Sequence, residues 1–275
     1  MRVMLSKLAA AAVCLAVLGF PRAADAVQTI PFTDANGLIA VQGSVDGRPP
    51  VQMLVDLGAG VDILSERLAG LVAFNGKYSS MRLTGERLDL PMGNIVTLDA
   101  GGVRLDDLRV GVWNGLYAAR GVDGLISAVA FRSVVTTFDF ANHQIVLEDA
   151  VSFPERRRTA TRIPLVLQDD LDTSLGLFAR FDLGNGRSGL CEIDTGIKGI
   201  LVDKVFEAGG VPSIALDGAP QTAMNKPQVT FENLIYDCIV GNQFWADRSF
   251  TLDILNRAMY VGSSIAWYQT RAIAS

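Results

Sequence analysis

The chain has 275 residues, 24 Lys and Arg against 29 Asp and Glu, a formal net charge of −5, and a single histidine. The charges are dispersed and do not form the clustered basic surface that binding a phosphate backbone requires, so nucleic acid is excluded as a partner class. A Ser/His/Asp triad or a zinc site needs histidine beside other reactive groups, whereas His143 lies in a short polar stretch that predicts an exposed hairpin turn. We therefore expect no metal or cofactor, and hydrolytic chemistry would depend on carboxylates.

The N-terminal segment has the pattern of a secretory signal peptide. Two basic residues precede an apolar run over 8–20, and Ala24-Asp25-Ala26 supplies the small-residue site that signal peptidase recognises. The run is shorter than the roughly 20 apolar residues of a membrane span, which favours cleavage of residues 1–26 over an uncleaved anchor. The sequence thus predicts a mature chain from Val27, no stable membrane span, and a periplasmic or secreted location.

An internal repeat delivers one aspartate from each half of the chain. In the first half a strand, an Asp46-Gly47 turn and a second strand lead directly into Asp56. The second half repeats this order with an Asn185-Gly186 turn, and its second strand leads into Asp194. The four predicted strands are residues 37–41, 51–55, 176–180 and 189–193.

The correspondence continues beyond each aspartate. Ser65 and Asp203 follow Asp56 and Asp194 at equal spacing, and both are residue types that begin helices, so each half predicts a short helix there. Asp62 lies outside the repeated pattern, and we expect a solvated or helix-capping carboxylate.

A second repeated block closes each half. Residues 137–142 align with 251–256, and apolar alternation follows both segments, which predicts a mainly β chain whose first half has the longer insertion. We expect lobes at 27–150 and 163–275, joined by a linker at 151–162 whose three consecutive arginines are solvated rather than a binding patch.

The two aspartate segments resemble the Asp-Thr/Ser-Gly loops of aspartic proteases. They are Val55-Asp56-Leu57-Gly58-Ala59 and Ile193-Asp194-Thr195-Gly196. The first half also resembles bacterial retropepsin-like domains, with Gly121-Val122-Asp123-Gly124-Leu125-Ile126 ahead of Phe138-Asp139-Phe140, and Ile239-Val240-Gly241-Asn242 is the matching segment in the second half.

This resemblance implies a bilobal pepsin- or retropepsin-like fold in which both loops meet at a central cleft. Asp56 and Asp194 would form the catalytic dyad, and the supporting loop residues would be Gly58, Ala59, Thr195 and Gly196. Two carboxylates held close cannot both ionise, so one keeps a proton while the other accepts one from the attacking water. That division of labour requires no metal and no nucleophilic side chain.

Three positions depart from the family pattern. Leu57 stands where a Thr or Ser hydroxyl would link the loops, Ile197 where a small or hydroxyl residue often supports the second aspartate, and Ser127 where the second half has Gly241. Two interpretations follow. The first is an exported aspartic endopeptidase acting on extended peptides or unfolded proteins; the second is a catalytically inactive homologue that binds a peptide or protein. The presence of both halves in one chain favours a monomer.

For two further features the sequence leaves two alternatives open. The resemblance implies a mobile hairpin from the first-half arm, with Thr84-Gly85-Glu86 either at its tip or in an ordinary surface turn. Cys191 and Cys238 lie on strands that the resemblance places near each other, where they form either a disulfide, favoured by an oxidising compartment, or two buried free thiols.

Removal of the first 26 residues is directly testable. We expect the exported protein to begin at Val27 and to carry no lipid, because Cys14 follows Val13 in a context unsuited to lipoprotein processing. Intact-mass measurement of the exported chain checks this. A mass that retains residues 1–26, or one increased by acyl chains, would contradict it.

Overall fold

The structure is a computed structural model that describes residues 27–106, 108–170 and 173–262; the predicted signal peptide lies outside them. No helix in these ranges has the length and apolar character needed to cross a membrane. The strands are β1 (Gln28–Pro31), β2 (Thr33–Ala35), β3 (Leu38–Val45), β4 (Val51–Val55), β5 (Asp62–Ser65), β6 (Ala73–Met81), β7 (Arg87–Asn94), β8 (Thr97–Ala100), β9 (Val103–Asp106), β10 (Arg109–Trp113), β11 (Gly124–Ile126), β12 (Thr136–Asp139), β13 (Gln144–Leu147), β14 (Thr161–Pro164), β15 (Val166–Asp170), β16 (Ser174–Asp182), β17 (Ser188–Ile193), β18 (Ile200–Asp203), β19 (Ser213–Leu216), β20 (Ala219–Asn225), β21 (Val229–Glu232), β22 (Cys238–Val240), β23 (Ser249–Asp253) and β24 (Ala258–Gly262). The helices are α1 (Leu116–Arg120), α2 (Ser152–Thr159) and α3 (Asn242–Trp245), and single 3₁₀ turns span Glu66–Leu71, Ala128–Phe131 and Lys204–Gly209.

The strands form one sheet in each lobe and one sheet between the lobes. The first lobe has the order β6-β7-β10-β5-β11-β4-β3-β8-β9, with β2 on β3. The second lobe has the order β20-β19-β16-β17-β22-β18-β21, with β15 on β16. The third sheet, β1-β13-β12-β23-β24-β14, takes three strands from each half. This mainly β, bilobal arrangement confirms the predicted architecture.

The two aspartate-bearing hairpins form because their turns contain residues that tolerate positive φ. Asp46 and Gly47 have φ of 47° and 71°, and Asn185 and Gly186 have φ of 56° and 70°. Two consecutive residues of this kind are typical of the tight turns that match the twist of paired strands. The turns join β3 to β4 and β16 to β17, and β4 and β17 are the strands that end at the two aspartates.

The sheet between the lobes places the two halves about a pseudo-two-fold axis. In the antiparallel pair β12 and β23, Thr137 lies directly opposite Thr251, its counterpart in the repeat, and their hydroxyl oxygens are 2.7 Å apart. The rings of Phe138 and Phe250, neighbours in the same register, stack with centroids 4.9 Å apart. The axis therefore passes between the two threonines, and the buried aromatic pair fixes how the lobes meet.

Cys191 and Cys238 form a disulfide between adjacent strands of the second lobe. They face each other directly in the parallel pair β17 and β22. Of the two alternatives that the sequence left open, the structure has the bonded pair.

The segment between the lobes forms a helix and is partly buried, whereas the sequence indicated a solvated linker. Residues Ser152–Thr159 form α2, and Arg156 is buried beside Glu148, with its Nε donating to Glu148 Oε1 at 2.5 Å. Thr137 donates to the same oxygen at 2.5 Å. The expectation that the whole arginine run is solvated is therefore wrong at Arg156, because Glu148, also buried, accepts its hydrogen bond.

Replacing Arg156 should destabilise the protein strongly. In Arg156→Met the Glu148 carboxylate loses its counter-charge while it stays buried, and breaking such a pair costs about 3–5 kcal/mol. Arg158, exposed in the same helix, is the matched control, and Arg158→Met should change the free energy of unfolding by less than about 0.5 kcal/mol. Equal effects of the two substitutions in denaturant titrations would contradict this assignment.

Candidate active site

The two aspartate loops cross at the junction of the lobes. A Cβ atom added to Gly58 would collide with the Asp194 carboxyl group, and one added to Gly196 would collide with the Asp56 carboxyl group. Each glycine thus packs against the aspartate of the opposite loop, and only a residue without a side chain allows that approach. Both aspartates are buried, each with 6 % of its surface exposed.

Thr195, in the second-lobe loop, links the two loops by hydrogen bonds, and the first-lobe loop has no equivalent hydroxyl. Its hydroxyl donates to the Val55 carbonyl at 2.8 Å and accepts from the Leu57 N–H at 3.0 Å. The Leu57 side chain is 0 % exposed in the apolar core, so the first lobe offers no reciprocal hydroxyl there. The buried leucine introduces no polar atom that would need a partner, and one half of the link is retained.

The two carboxyl groups hold protons unequally. Burial raises the pKa of Asp56, and the Arg120 charge, a hydrogen bond from Asp194 and the N–H groups of Gly58 and Ala59 oppose that rise. Burial and then the Asp56 charge raise the pKa of Asp194 well above its ordinary value. Because the pair titrates as a unit, the two acids share one proton, and these influences favour its residence on Asp194.

Two residues at the site were missed by the sequence analysis. The Arg120 guanidinium, on α1, donates to the Gly196 carbonyl at 3.2 Å. The Asn242 amide donates to the Gly37 carbonyl at 2.8 Å and to the Thr195 carbonyl at 2.9 Å, and it joins the two lobes behind the loops. Arg120 has no counterpart in the repeat, so the sequence contained no signal for it. Asn242 lies in the matched segment of the second half, but that match did not indicate what its side chain does.

The difference between Ser127 in the first lobe and Gly241 in the second has a local structural cause. Ser127 and Gly241 each follow a strand, β11 and β22, and each begins a helical turn. A Cβ atom at Gly241 would collide with the carbonyl oxygens of Gly199 and Ile197, whereas the Ser127 hydroxyl accepts from the Val129 N–H at 3.1 Å. The two positions therefore differ in packing space.

No family model and no curated protein sequence matches this chain. Among solved structures, it is similar to the crystal structure of basic 7S globulin from soybean, with a TM-score of 0.55, 11 % sequence identity, and coverage of 89 % of this chain and 96 % of that one. The fold is pepsin-like. At this identity the likeness shows the fold alone, and the chemistry of the pepsin-like cleft has to be argued from its own residues.

A hairpin of the first lobe reaches across the pepsin-like cleft. Strands β6 and β7 pair along their length, and Thr84-Gly85-Glu86 lies in the turn between them. The Ile235 N–H of the second lobe donates to the Leu83 carbonyl at 3.1 Å. The tip of the hairpin is thus attached to the opposite lobe.

The expectation that Asp62 is solvated or caps a helix is wrong. It is 2 % exposed, and its Oδ1 accepts from the Ser127 N–H at 2.7 Å. The reason is that Asp62 begins β5, which lies between β10 and β11 inside the first-lobe sheet. Burial raises the pKa of this carboxyl to about 7, against the hydrogen bonds from Ser127.

This raised pKa gives Asp62 a pH-dependent effect on stability. The carboxyl ionises near 3.8 in the unfolded chain and near 7 in the folded one, so the folded state binds more protons between these values. Its contribution is fully present below about pH 4 and is lost as the pH rises through about 7.

Asp62→Asn should remove that dependence. We expect the free energy of unfolding of the wild type, relative to this variant, to fall by up to about 4 kcal/mol between pH 4 and pH 8. Urea titrations across this range measure it, with the exposed Asp217→Asn as control. Parallel curves for wild type and Asp62→Asn would show that Asp62 does not titrate as its burial implies.

Proposed function

We propose that the chain is an exported, retropepsin-like aspartic endopeptidase that hydrolyses peptide bonds in extended peptides or unfolded proteins. The observation that carries this proposal is the crossed contact of two buried aspartates, one from each lobe, each packed against the glycine of the opposite loop. Such an arrangement suits one shared proton, which is the requirement for activating water without a metal.

The unequal pKa values support a division of roles between the two acids. Ionised Asp56 accepts a proton from the water that attacks the scissile carbonyl carbon, and protonated Asp194 donates a hydrogen bond to the carbonyl oxygen. The Arg120 charge and the N–H groups of Gly58 and Ala59 favour the ionised form of Asp56. Thr195 keeps the two loops in register through Val55 and Leu57.

The cleft and its hairpin suit an extended chain. A peptide in the cleft would lie beneath the β6–β7 hairpin, and its backbone could pair with strand-like N–H and C=O groups. The hairpin must release its contact with Ile235 for a peptide to enter, and closure then excludes water from the acids. Extended segments are most accessible in short peptides and unfolded chains, which are therefore the proposed substrates.

Binding without cleavage is the second candidate, and one observation favours it. Leu57 removes the hydroxyl that would complete the link between the loops. In that case the same cleft holds a peptide and the dyad does not turn over.

Export is part of the proposal and is supported by the signal-peptide pattern of residues 1–26. The Cys191–Cys238 disulfide is also typical of an oxidising compartment.

Each aspartate should be indispensable. We expect Asp56→Asn and Asp194→Asn to reduce kcat for hydrolysis of a denatured protein by about 10⁴-fold or more, because an amide neither bears the charge nor accepts the proton. The double variant should lose little more than either single variant, since both groups serve one mechanism.

Asp217→Asn, an exposed aspartate of the second lobe, is the control and should keep wild-type turnover. Circular dichroism verifies that each variant is folded. Wild-type turnover in either dyad variant would contradict the mechanism, and a folded wild type without turnover from acid to neutral pH would favour the binding module.

A further inference from the structure

A third carboxyl group lies beside the dyad and has no role in the proposed mechanism. Glu192 precedes Asp194 by two residues on β17, at the position where the first lobe has Leu54 before Asp56. It is only 6 % exposed. The repeat therefore places an acid in the second lobe where the first lobe has an apolar side chain, so the two sides of the cleft differ in chemistry.

The Glu192 carboxyl group points away from the core and has no hydrogen-bond or ion-pair partner among the described residues. Its strand neighbours Cys191 and Ile193 belong to the apolar core, and successive strand residues face opposite sides. No described residue donates a hydrogen bond to it. Burial, then the charges of Asp194 and Asp56, raise its pKa well above the ordinary value. A nearby cation would counter these influences and favour the ionised form of Glu192.

Aromatic rings border this carboxyl group. Phe178 on β16 is its cross-strand neighbour, and the rings of Phe178 and Tyr236 meet edge to face with centroids 4.9 Å apart. Burial, followed by the charges of Glu192 and Tyr78, raises the pKa of Tyr236 to about 12, so both phenols lie within electrostatic range of this space. Tyr78 belongs to β6 of the hairpin, so the group that acts on Tyr236 comes from the first lobe.

We propose that Glu192, Phe178, Tyr236 and Tyr78 form a pocket for a lysine or arginine side chain adjacent to the scissile bond. The proposal rests on the proposed function, because it takes the cleft to hold a peptide. A buried carboxylate pairs with an ammonium or guanidinium group, and aromatic faces attract the same cations. A bound cation would favour the ionised form of the Glu192 carboxyl group and pair with it, whereas a neutral side chain would leave that group protonated.

The hairpin strengthens this recognition when it closes. Ile235, the residue before Tyr236, is the one whose N–H binds the Leu83 carbonyl at the hairpin tip. Closure thus covers the pocket at the same time as the aspartates, and an ion pair gains strength as water is excluded.

Cleavage-site profiling tests the pocket. The substrate is a denatured proteome digested beforehand with a glutamate-specific endopeptidase, which leaves lysine and arginine inside the peptides. We expect Lys and Arg to be enriched at one position flanking the cleaved bond. Glu192→Gln, and Glu192→Leu, which copies Leu54, should abolish the enrichment, and Glu207→Gln, an exposed glutamate of the same lobe, should keep it.

The size of the preference is measured with two synthetic peptides that differ only in having Lys or norleucine at that position. We expect the kcat/KM ratio to favour Lys by at least about 30-fold in the wild type and to approach unity in Glu192→Gln. An effect of the substitution on the dyad changes kcat/KM equally for both peptides and therefore cancels in the ratio. The ratio thus reports on the pocket.

A binding measurement separates this inference from the proposed function. Fluorescence polarisation of the labelled Lys and norleucine peptides with Asp56→Asn, with and without Glu192→Gln, requires no turnover. Peptide hydrolysis with equal use of Lys and norleucine would overturn the pocket alone. Glu192-dependent binding of the Lys peptide without hydrolysis by the wild type would overturn the protease and support the pocket. Absence of both would overturn both proposals.

Discussion

Two carboxyl groups buried against each other cannot both be ionised, and the rest of the structure serves to hold them in that position. Gly58 and Gly196 permit the approach because neither carries a side chain. Farther away, the threonine pair at the pseudo-two-fold axis and the stacked phenylalanines beside it fix the lobes that supply the two loops. The repeat thus brings two equivalent aspartates, Asp56 and Asp194, to one point.

The symmetry is broken where the proposed chemistry requires a difference between the acids. The Arg120 charge lowers the pKa of both acids, as the largest opposing influence for Asp56 and the smallest for Asp194, and the Asp56 charge favours the proton on Asp194. Leu57 and Thr195 break the symmetry of the loop link, and Glu192 breaks that of the cleft walls. A symmetric pair of loops with asymmetric surroundings suits a reaction in which one acid gives and the other accepts a proton.

The sequence predicted those features that depend on neighbours in the chain. Hairpins, turns and the two aspartate loops follow from alternation and from residues that tolerate positive φ. Tertiary burial was not predictable in this way: Asp62 is enclosed by strands distant in sequence, and Arg156 is buried because Glu148 accepts its hydrogen bond. Arg120 lies in an unrepeated segment and gave no signal.

The most direct measurement of the shared proton is a carbon-13 NMR titration of the labelled aspartate carboxyl groups, with Asp56→Asn and Asp194→Asn used to assign the signals. We expect two coupled steps, with the Asp194 pKa raised well above its ordinary value in the wild type and lower once Asp56 is neutral. Independent titration of both groups near the ordinary pKa of 3.8 would contradict the proton-sharing pair.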